Sequence, residues 1–382
     1  MAGEPLDLDR VLEVAEEAAR AAGALIKASW GKAGGSVAGG SGSGAGDSGG
    51  GGGGGGGGAV SVAAKGGNAA DLVTDVDEAC EALIRERIRG AFPDHAFIGE
   101  EESAARKARG NGDAADEKAG GGGGGEAETA GGGGGGSAAA VPTWMVDPLD
   151  GTANFVHGFP FSCTSIALCV GGEPVVGVVY NPIIGELFSA SKGRGAFLNG
   201  RRLACGPRGG GGGGGGGGAE KEGGEAAAAA RGDDEEGRGT QEEEDDDDDA
   251  PPPHLLLSRA LIGTEIGTSR DAETMDAVFR RVRAVTAASR SLRCGGSCAL
   301  GLCGVAAGRL DAFYEIGFGG CWDVAAGALV VREAGGVVVD PAGGPWAVGS
   351  RRVLAAADAR TGRAVAALLR EAGTAASEPG PP

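Results

Sequence analysis

The first apolar pattern in the chain is helical. Leu8, Val11, Leu12, Ala15, Ala18, Ala19, Ala22, Leu25 and Ile26 recur at helical spacing behind Asp7 and Asp9, either of which can cap the first turn. A second stripe, Val76, Cys80, Leu83, Ile84 and Ile88, follows Thr74, whose hydroxyl suits an N-cap, and stops at Gly90. The rhythm then shortens. Apolar runs at 96–98, 144–146, 165–170, 175–180 and 187–190, broken by Gly, Pro and Asn, predict strands of a mostly antiparallel sheet. Further on, expected strands at 254–258, 310–314, 336–340 and 352–357 alternate with expected helices at 271–285, 297–307, 323–334 and 361–372. The pattern predicts two layered halves of mixed α and β, 1–205 and 254–382.

Composition changes this picture in three places. Segments 34–59, 106–137 and 206–253 hold more than half of the 82 glycines in the 382-residue chain. Such tracts lose much backbone entropy on ordering and bury little apolar surface, which predicts flexible inserts. The remainder, roughly 280 residues, is ample for a sizeable core. Segment 206–253 carries 15 acidic and 4 basic side chains, including the run 242–249, and so accounts for much of the net charge of -19. A linker is expected there, where lengthening an exposed connection costs little.

No basic stripe is left to neutralise a phosphate backbone, which excludes nucleic-acid binding as a main role. No apolar stretch approaches the roughly 20 residues of a membrane-spanning helix, and the first residues lack the pattern of a signal or transit peptide. A cytoplasmic protein is the expectation. The eight cysteines contain no C-x-x-C pair and sit in apolar runs, as buried, reduced thiols would.

The candidate chemistry is carried by carboxylates at strand ends. The run 96–98 leads into Gly99-Glu100-Glu101-Glu102, the run 144–146 into Asp147-Pro148-Leu149-Asp150-Gly151-Thr152, and Asp323 follows Cys321-Trp322. Pro148 fixes φ and Gly151 permits a sharp bend, so Asp147 and Asp150 can face one spot. Carboxylates packed together need protons or cations, and an open site of oxygen ligands favours Mg²⁺. That chemistry matches two-metal phosphate ester hydrolysis. The three histidines, His95, His157 and His254, form no hydrolase order, and His157 is read as structural. Two acids three residues apart also argue against an aspartyl-phosphate D-x-D mechanism.

These residues carry a resemblance. Gly99-Glu100-Glu101, the stretch from Trp144 through Asp147, Asp150, Gly151, Thr152, Asn154 and His157 to Gly158, and Cys321-Trp322-Asp323 with Glu333-Ala-Gly-Gly336 resemble the inositol monophosphatase family. So do Asp71-Leu-Val-Thr74 with Asp77, Tyr314-Glu315, and Ser350-Arg351-Arg352-Val353. The resemblance implies an α-β-α-β-α layered sandwich, a homodimer and sensitivity to Li⁺. It implies two or three Mg²⁺ ions on Glu100, Asp147, the carbonyl of Leu149, Asp150 and Asp323, with Asp147 bridging two of them. Thr152, oriented by Asp77, would hold the attacking water, and the N–H groups of Gly151 and Thr152 would cradle the phosphate.

Gly296, Ser297, Cys298 and Glu315 would contact the substrate, a small phosphorylated polyol with myo-inositol 1-phosphate first and L-galactose 1-phosphate as the alternative. Cys298 stands where many relatives carry Ala, Ala153 where they often carry Thr, and Glu102 is expected to lengthen the Gly-Glu-Glu loop. The absence of a basic cluster argues against a bisphosphate substrate. A non-catalytic scaffold displaying the acidic tract is the competing class, and the intact carboxylates argue against it.

Overall fold

Asp7 Oδ1 accepts the N–H groups of Asp9 (3.1 Å) and Arg10 (3.2 Å) and so starts α1 (Leu8–Ser29). The structure, a computed structural model, describes residues 6–32, 60–65, 68, 70–109, 140–206 and 256–382. The expected inserts lie outside these residues except at their edges: residues 106–108 belong to a helix rather than to low-complexity chain. Along α1 the buried line is Val11, Ala15, Ala18, Ala19, Ala22 and Ile26, whereas Leu25, expected on the stripe, is exposed. A short hairpin, β1 (Val62–Ala64) and β2 (Leu72–Thr74), leads into α2 (Asp75–Ala91), where Thr74 and Asp77 form a reciprocal capping box.

The main sheet has seven strands in chain order: β3 (Ala96–Gly99), β4 (Thr143–Asp150), β5 (Cys163–Val170), β6 (Glu173–Asn181), β7 (Glu186–Ser191), β8 (Gly195–Leu198) and β9 (Arg201–Arg202). Only β3 and β4 within it run parallel, so the sheet is mostly antiparallel, as the short apolar runs predict. Between β3 and β4 lies α3 (Glu100–Ala108), and after β4 comes the six-residue α4 (Thr152–His157).

The second sheet has the order β11-β10-β12-β14-β13, built from β10 (Leu261–Thr264), β11 (Ser291–Arg293), β12 (Ala312–Ile316), β13 (Val337–Val339) and β14 (Arg352–Ala356). Its helices are α5 (Ala272–Ala288), α6 (Cys298–Ala306), α7 (Ala325–Glu333) and α8 (Ala359–Ala372), with a 3₁₀ turn at Cys321–Asp323.

Three apolar clusters define five layers. The first joins α1 and α2 to one face of the main sheet around Trp144, Val146, Ile166 and Val178. The second, the largest, sandwiches α6 and α7 between the two sheets, from Met145 and Phe188 to Phe313 and Val353. The third packs α5 and α8 on the outer face of the second sheet through Val285, Tyr314, Leu354, Val365 and Leu369. This is the α-β-α-β-α sandwich expected. The sheet–helix approach is close: a Cβ at Gly177 on β6 would lie 2.8 Å from the carbonyl of Ala326 on α7. Among the described residues no helix is long and apolar enough to cross a membrane.

The second half corrects several expectations. Of the strand expected at 254–258, residues 254 and 255 lie outside the described residues and Leu256 and Leu257 are helical; the strand in this region is β10, which begins at Leu261. A short apolar run does not distinguish helix from strand; parallel pairing with β11 and β12 selects Leu261–Thr264. The strand expected at 310–314 is β12, shifted two residues on. Strands β1, β2 and β11, three residues each, are too short to show a period. Cys294 is exposed and Cys205 and Cys321 are half-buried, while the other five cysteines are buried, and none of the eight forms a disulfide.

Candidate active site

A regular strand would turn Asp147 and Asp150, three residues apart, to opposite faces of the sheet. Here the β4–β5 register shifts between them: Asp147 pairs with Ser165 and Asp150 with Cys163. This bulge, with Pro148 inside it, brings both carboxylates to one cavity of about 340 Å³. Strand β5 holds the turn through Thr164 Oγ1, which donates to the carbonyl of Pro148 (3.0 Å), and Asp147 Oδ1 accepts the N–H of Leu149 (2.9 Å). Gly151, at φ 84°, ends the strand and caps α4; a Cβ there would stand 2.9 Å from the carbonyl of Phe161 and 3.0 Å from that of Gly296. Only glycine fits that position.

Glu100 opens α3 directly after β3, so Glu102 stands on a helix, paired with Arg85 (2.7 Å), and does not lengthen a loop. Asp323 ends the 3₁₀ turn and accepts the N–H of Gly320 (3.0 Å). That turn is tied to the main sheet by Ser165 Oγ, which donates to the carbonyl of Trp322 (2.8 Å). The cavity is lined by Glu100, Asp147, Leu149, Asp150, Gly151, Thr152, Gly296, Ser297, Cys298, Glu315 and Asp323. Every residue expected to bind metal or substrate therefore shares one space. Asp77 lies behind it, 1 % exposed, and meets the cavity through Thr152, whose Oγ1 is 3.1 Å from Asp77 Oδ1 and 3.1 Å from the carbonyl of Leu149. The other carboxylate oxygen of Asp77 accepts the N–H of Thr74 (3.0 Å) and its hydroxyl.

Electrostatics follow from burial. Asp147 and Asp323 are held well above the usual carboxylate range, first by burial and then by the charges of Glu100 and Asp150; the charge of Asp323 adds to the rise at Asp147. Asp150 is pushed up to about 6 by burial, against the bonds it accepts from Ser297 Oγ (2.6 Å) and Ala299 N (2.8 Å). Asp77 is also pushed up to about 6, by burial and by the charge of Glu100.

Four residues here carry no role in the sequence reading. Lys65 Nζ donates to Glu100 (2.6 Å) and Glu101 (2.9 Å); burial would weaken its hold on a proton, and the two carboxylates more than offset this. Glu265, just after β10, lines the cavity and accepts the N–H of Gly295 (2.9 Å), and burial raises it to about 7. It is another acid at a strand end, and displacing that strand to 254–258 hid it. Asn154 Nδ2 donates to the carbonyls of Phe161 (2.7 Å), Gly295 (2.8 Å) and Gly296 (3.2 Å), pinning the 295–297 loop. Arg270 lines the mouth and bonds the carbonyls of Gly267 and Ser269. His157 is exposed at the end of α4 and does not line the cavity.

Among the described residues no group of three or more His, Cys, Asp or Glu side chains is already arranged to hold a metal ion. The chemistry of the donors nevertheless fits a hard divalent cation. They are oxygens only, buried, and their mutual repulsion drives proton uptake that a cation would replace.

The model of the inositol monophosphatase family matches residues 7–374. The chain is 45% identical over 285 residues to inositol monophosphatase 2 of Solanum lycopersicum, covering 75% of this chain and 80% of the relative. It is 33% identical over 287 residues to inositol monophosphatase 1 of Homo sapiens, covering 75% and 77%. The crystal structure of the extragenic suppressor protein suhB from Bartonella henselae aligns over 95% of this chain and 99% of its own, with TM-score 0.61 and 26% identity. The chain belongs to the inositol monophosphatase family and is a phosphatase of that type.

Proposed function

We propose that the chain is a Mg²⁺-dependent phosphomonoesterase that hydrolyses myo-inositol monophosphate to inositol and phosphate. The observation that carries this reading is the convergence of Glu100, Asp147, Asp150 and Asp323 on one cavity beside the Thr152–Asp77 pair. Glu100, Asp147, the carbonyl of Leu149, Asp150 and Asp323 would hold two or three Mg²⁺ ions. The chemistry that Mg²⁺ would supply when held there is polarisation of the phosphate and a lower pKa for the attacking water.

The chain's own groups do the rest. Thr152 Oγ1 accepts a hydrogen bond from the water and passes proton density toward Asp77, whose raised affinity makes it an acceptor near neutral pH. Thr74 locks Asp77 in place from the other side. The first N–H groups of α4 lack intrahelical partners and are available to phosphate oxygens. On the acceptor side, Glu315 is 6 % exposed and its Oε2 has no hydrogen-bond partner, so a substrate hydroxyl supplies one. Gly296, Ser297 and Cys298 form the wall beside it. With Glu265 close by, that wall is acidic and suits a neutral polyol better than a second phosphate.

The same family resemblance supports a cytoplasmic homodimer and competition by Li⁺ for a Mg²⁺ position. The test of the substrate is phosphate release in Mg²⁺ from inositol 1-phosphate, L-galactose 1-phosphate, histidinol phosphate and fructose 1,6-bisphosphate, ranked by kcat/KM. Preference for inositol 1-phosphate is expected. Preference for another substrate moves the error to Gly296–Cys298 and Glu315, and no release from any revives a non-catalytic scaffold.

A further inference from the structure

Sixteen glycines among the described residues have positive φ, and two other residues do: Asn199 at 50° and Arg351 at 55°. Asn visits the left-handed region readily, whereas Arg is strained there and Gly would not be. What Arg351 adds is its side chain. Its Nε donates to the carbonyl of Phe318 (2.7 Å), while its own carbonyl accepts the N–H of Gly317 (2.9 Å). One residue thus grips the same loop through backbone and side chain.

That loop runs from Glu315 on β12 to the 3₁₀ turn bearing Asp323, and its Gly317, Phe318 and Gly319 line the cavity. Its far end is bonded to Asp323 itself, through the N–H of Gly320. The near end has a fixed base. Arg352 forms a buried pair with Asp340 (2.8 and 2.9 Å), and its carbonyl accepts Trp346 Nε1 (3.0 Å) and Ser350 Oγ (3.1 Å). A continuous bonded path therefore links Asp340, Arg352, Arg351, the 317–320 loop and Asp323.

We infer that Arg351 is a positioning residue whose guanidinium holds the 317–320 loop and thereby sets Asp323 against Asp147 and Asp150, with a strained backbone as the cost. This gives a role to the Ser350-Arg351-Arg352-Val353 motif, which the reaction scheme leaves without one. The inference rests on the proposed metal role of Asp323.

Arg351→Gly separates the two contributions, because it removes the guanidinium and relieves the backbone. Mg²⁺ is titrated by calorimetry into the metal-free protein, alongside Tm, kcat and KM. The expected result is an unchanged or raised Tm, Mg²⁺ binding weakened on the order of tenfold, and a lower kcat with KM little altered. Arg351→Lys, which restores a donor on the same backbone, recovers part of the affinity. Wild-type Mg²⁺ affinity and kcat in Arg351→Gly overturn the inference, and so does a Tm that drops by many degrees, which marks a structural role. A wild type that takes up no Mg²⁺ overturns the metal reading and this inference with it. If Mg²⁺ binding responds but no substrate on the panel releases phosphate, the substrate reading fails and the role of Arg351 stands.

Discussion

Asp147, on the main sheet, and Asp323, on the turn that leads into α7, are both buried and line the same cavity, where the charge of Asp323 adds to the proton affinity of Asp147. Two such groups side by side retain a proton that neither would keep in water. Asp77 and Asp150 (about 6), Glu265 (about 7) and Glu101 (about 8) are raised as well, chiefly by burial. The folded, metal-free chain therefore binds more protons than the unfolded chain between about pH 4 and pH 8. These groups add stability that is complete at the acid end of that window and lost as pH rises through the folded values. With metal removed by chelation, Tm should climb by roughly 5 °C from pH 8 to pH 5, the size expected for about 2 kcal/mol. Saturating Mg²⁺ should flatten the trend. A Tm that instead falls on acidification over this range refutes the clustering.

Asp147→Asn removes one negative charge from the cluster and keeps the side chain's shape. Phosphate release should fall on the order of a thousandfold, and Mg²⁺ binding should weaken in a calorimetric titration. The metal-free variant should at the same time melt higher than the wild type, since repulsion is relieved. Unchanged phosphate release would show the metal mechanism to be wrong.

The Thr152 hydroxyl joins Asp77 to the cavity. Thr152→Ala should lower kcat by about a hundredfold while KM changes little, and Thr152→Ser, which keeps the hydroxyl, should retain most of the activity. Single-turnover phosphate release distinguishes the two variants; equal rates would remove Thr152 from the reaction.

Asn154 holds three carbonyls across the cavity rim. Asn154→Ala should lower stability by about 1–3 kcal/mol, because those carbonyls lose partners, and should raise KM more than it lowers kcat as the 295–297 loop loosens. Chemical denaturation and steady-state kinetics read both effects. A variant with native stability and native KM would mean that Glu265 alone suffices to place the loop.

Millimolar Li⁺ should slow turnover uncompetitively with respect to substrate if the carboxylates hold more than one cation. Initial rates at several substrate levels decide this, and indifference to Li⁺ would count against the proposed metal set.

What the chain determined by itself is local. The helical periods of α1 and α2, the capping of α2 by Thr74, the short apolar strands of the main sheet and the Asp-Pro-Leu-Asp-Gly-Thr bend are all legible, because they depend on spacing and on residues with restricted backbones. The carboxylates Glu100, Asp147, Asp150 and Asp323 were legible as cation-binding chemistry because acids that recur at strand ends have few neutral explanations, whereas Gly296, Ser297, Cys298 and Glu315 entered only through the family resemblance. What only the tertiary structure decided is who meets whom. The bulge that turns Asp147 and Asp150 to one face comes from pairing with β5, not from their spacing. Lys65, Glu265 and Arg351 act on residues brought to them by the sheets, and a single Lys, Glu or Arg has no period to announce it. The misplaced strand at 254–258 has the same origin: a run of leucines fits helix or strand equally, and the choice fell to parallel pairing of Leu261–Thr264 between β11 and β12. Local pattern is set by neighbours in the chain, whereas a catalytic constellation is set by neighbours in space.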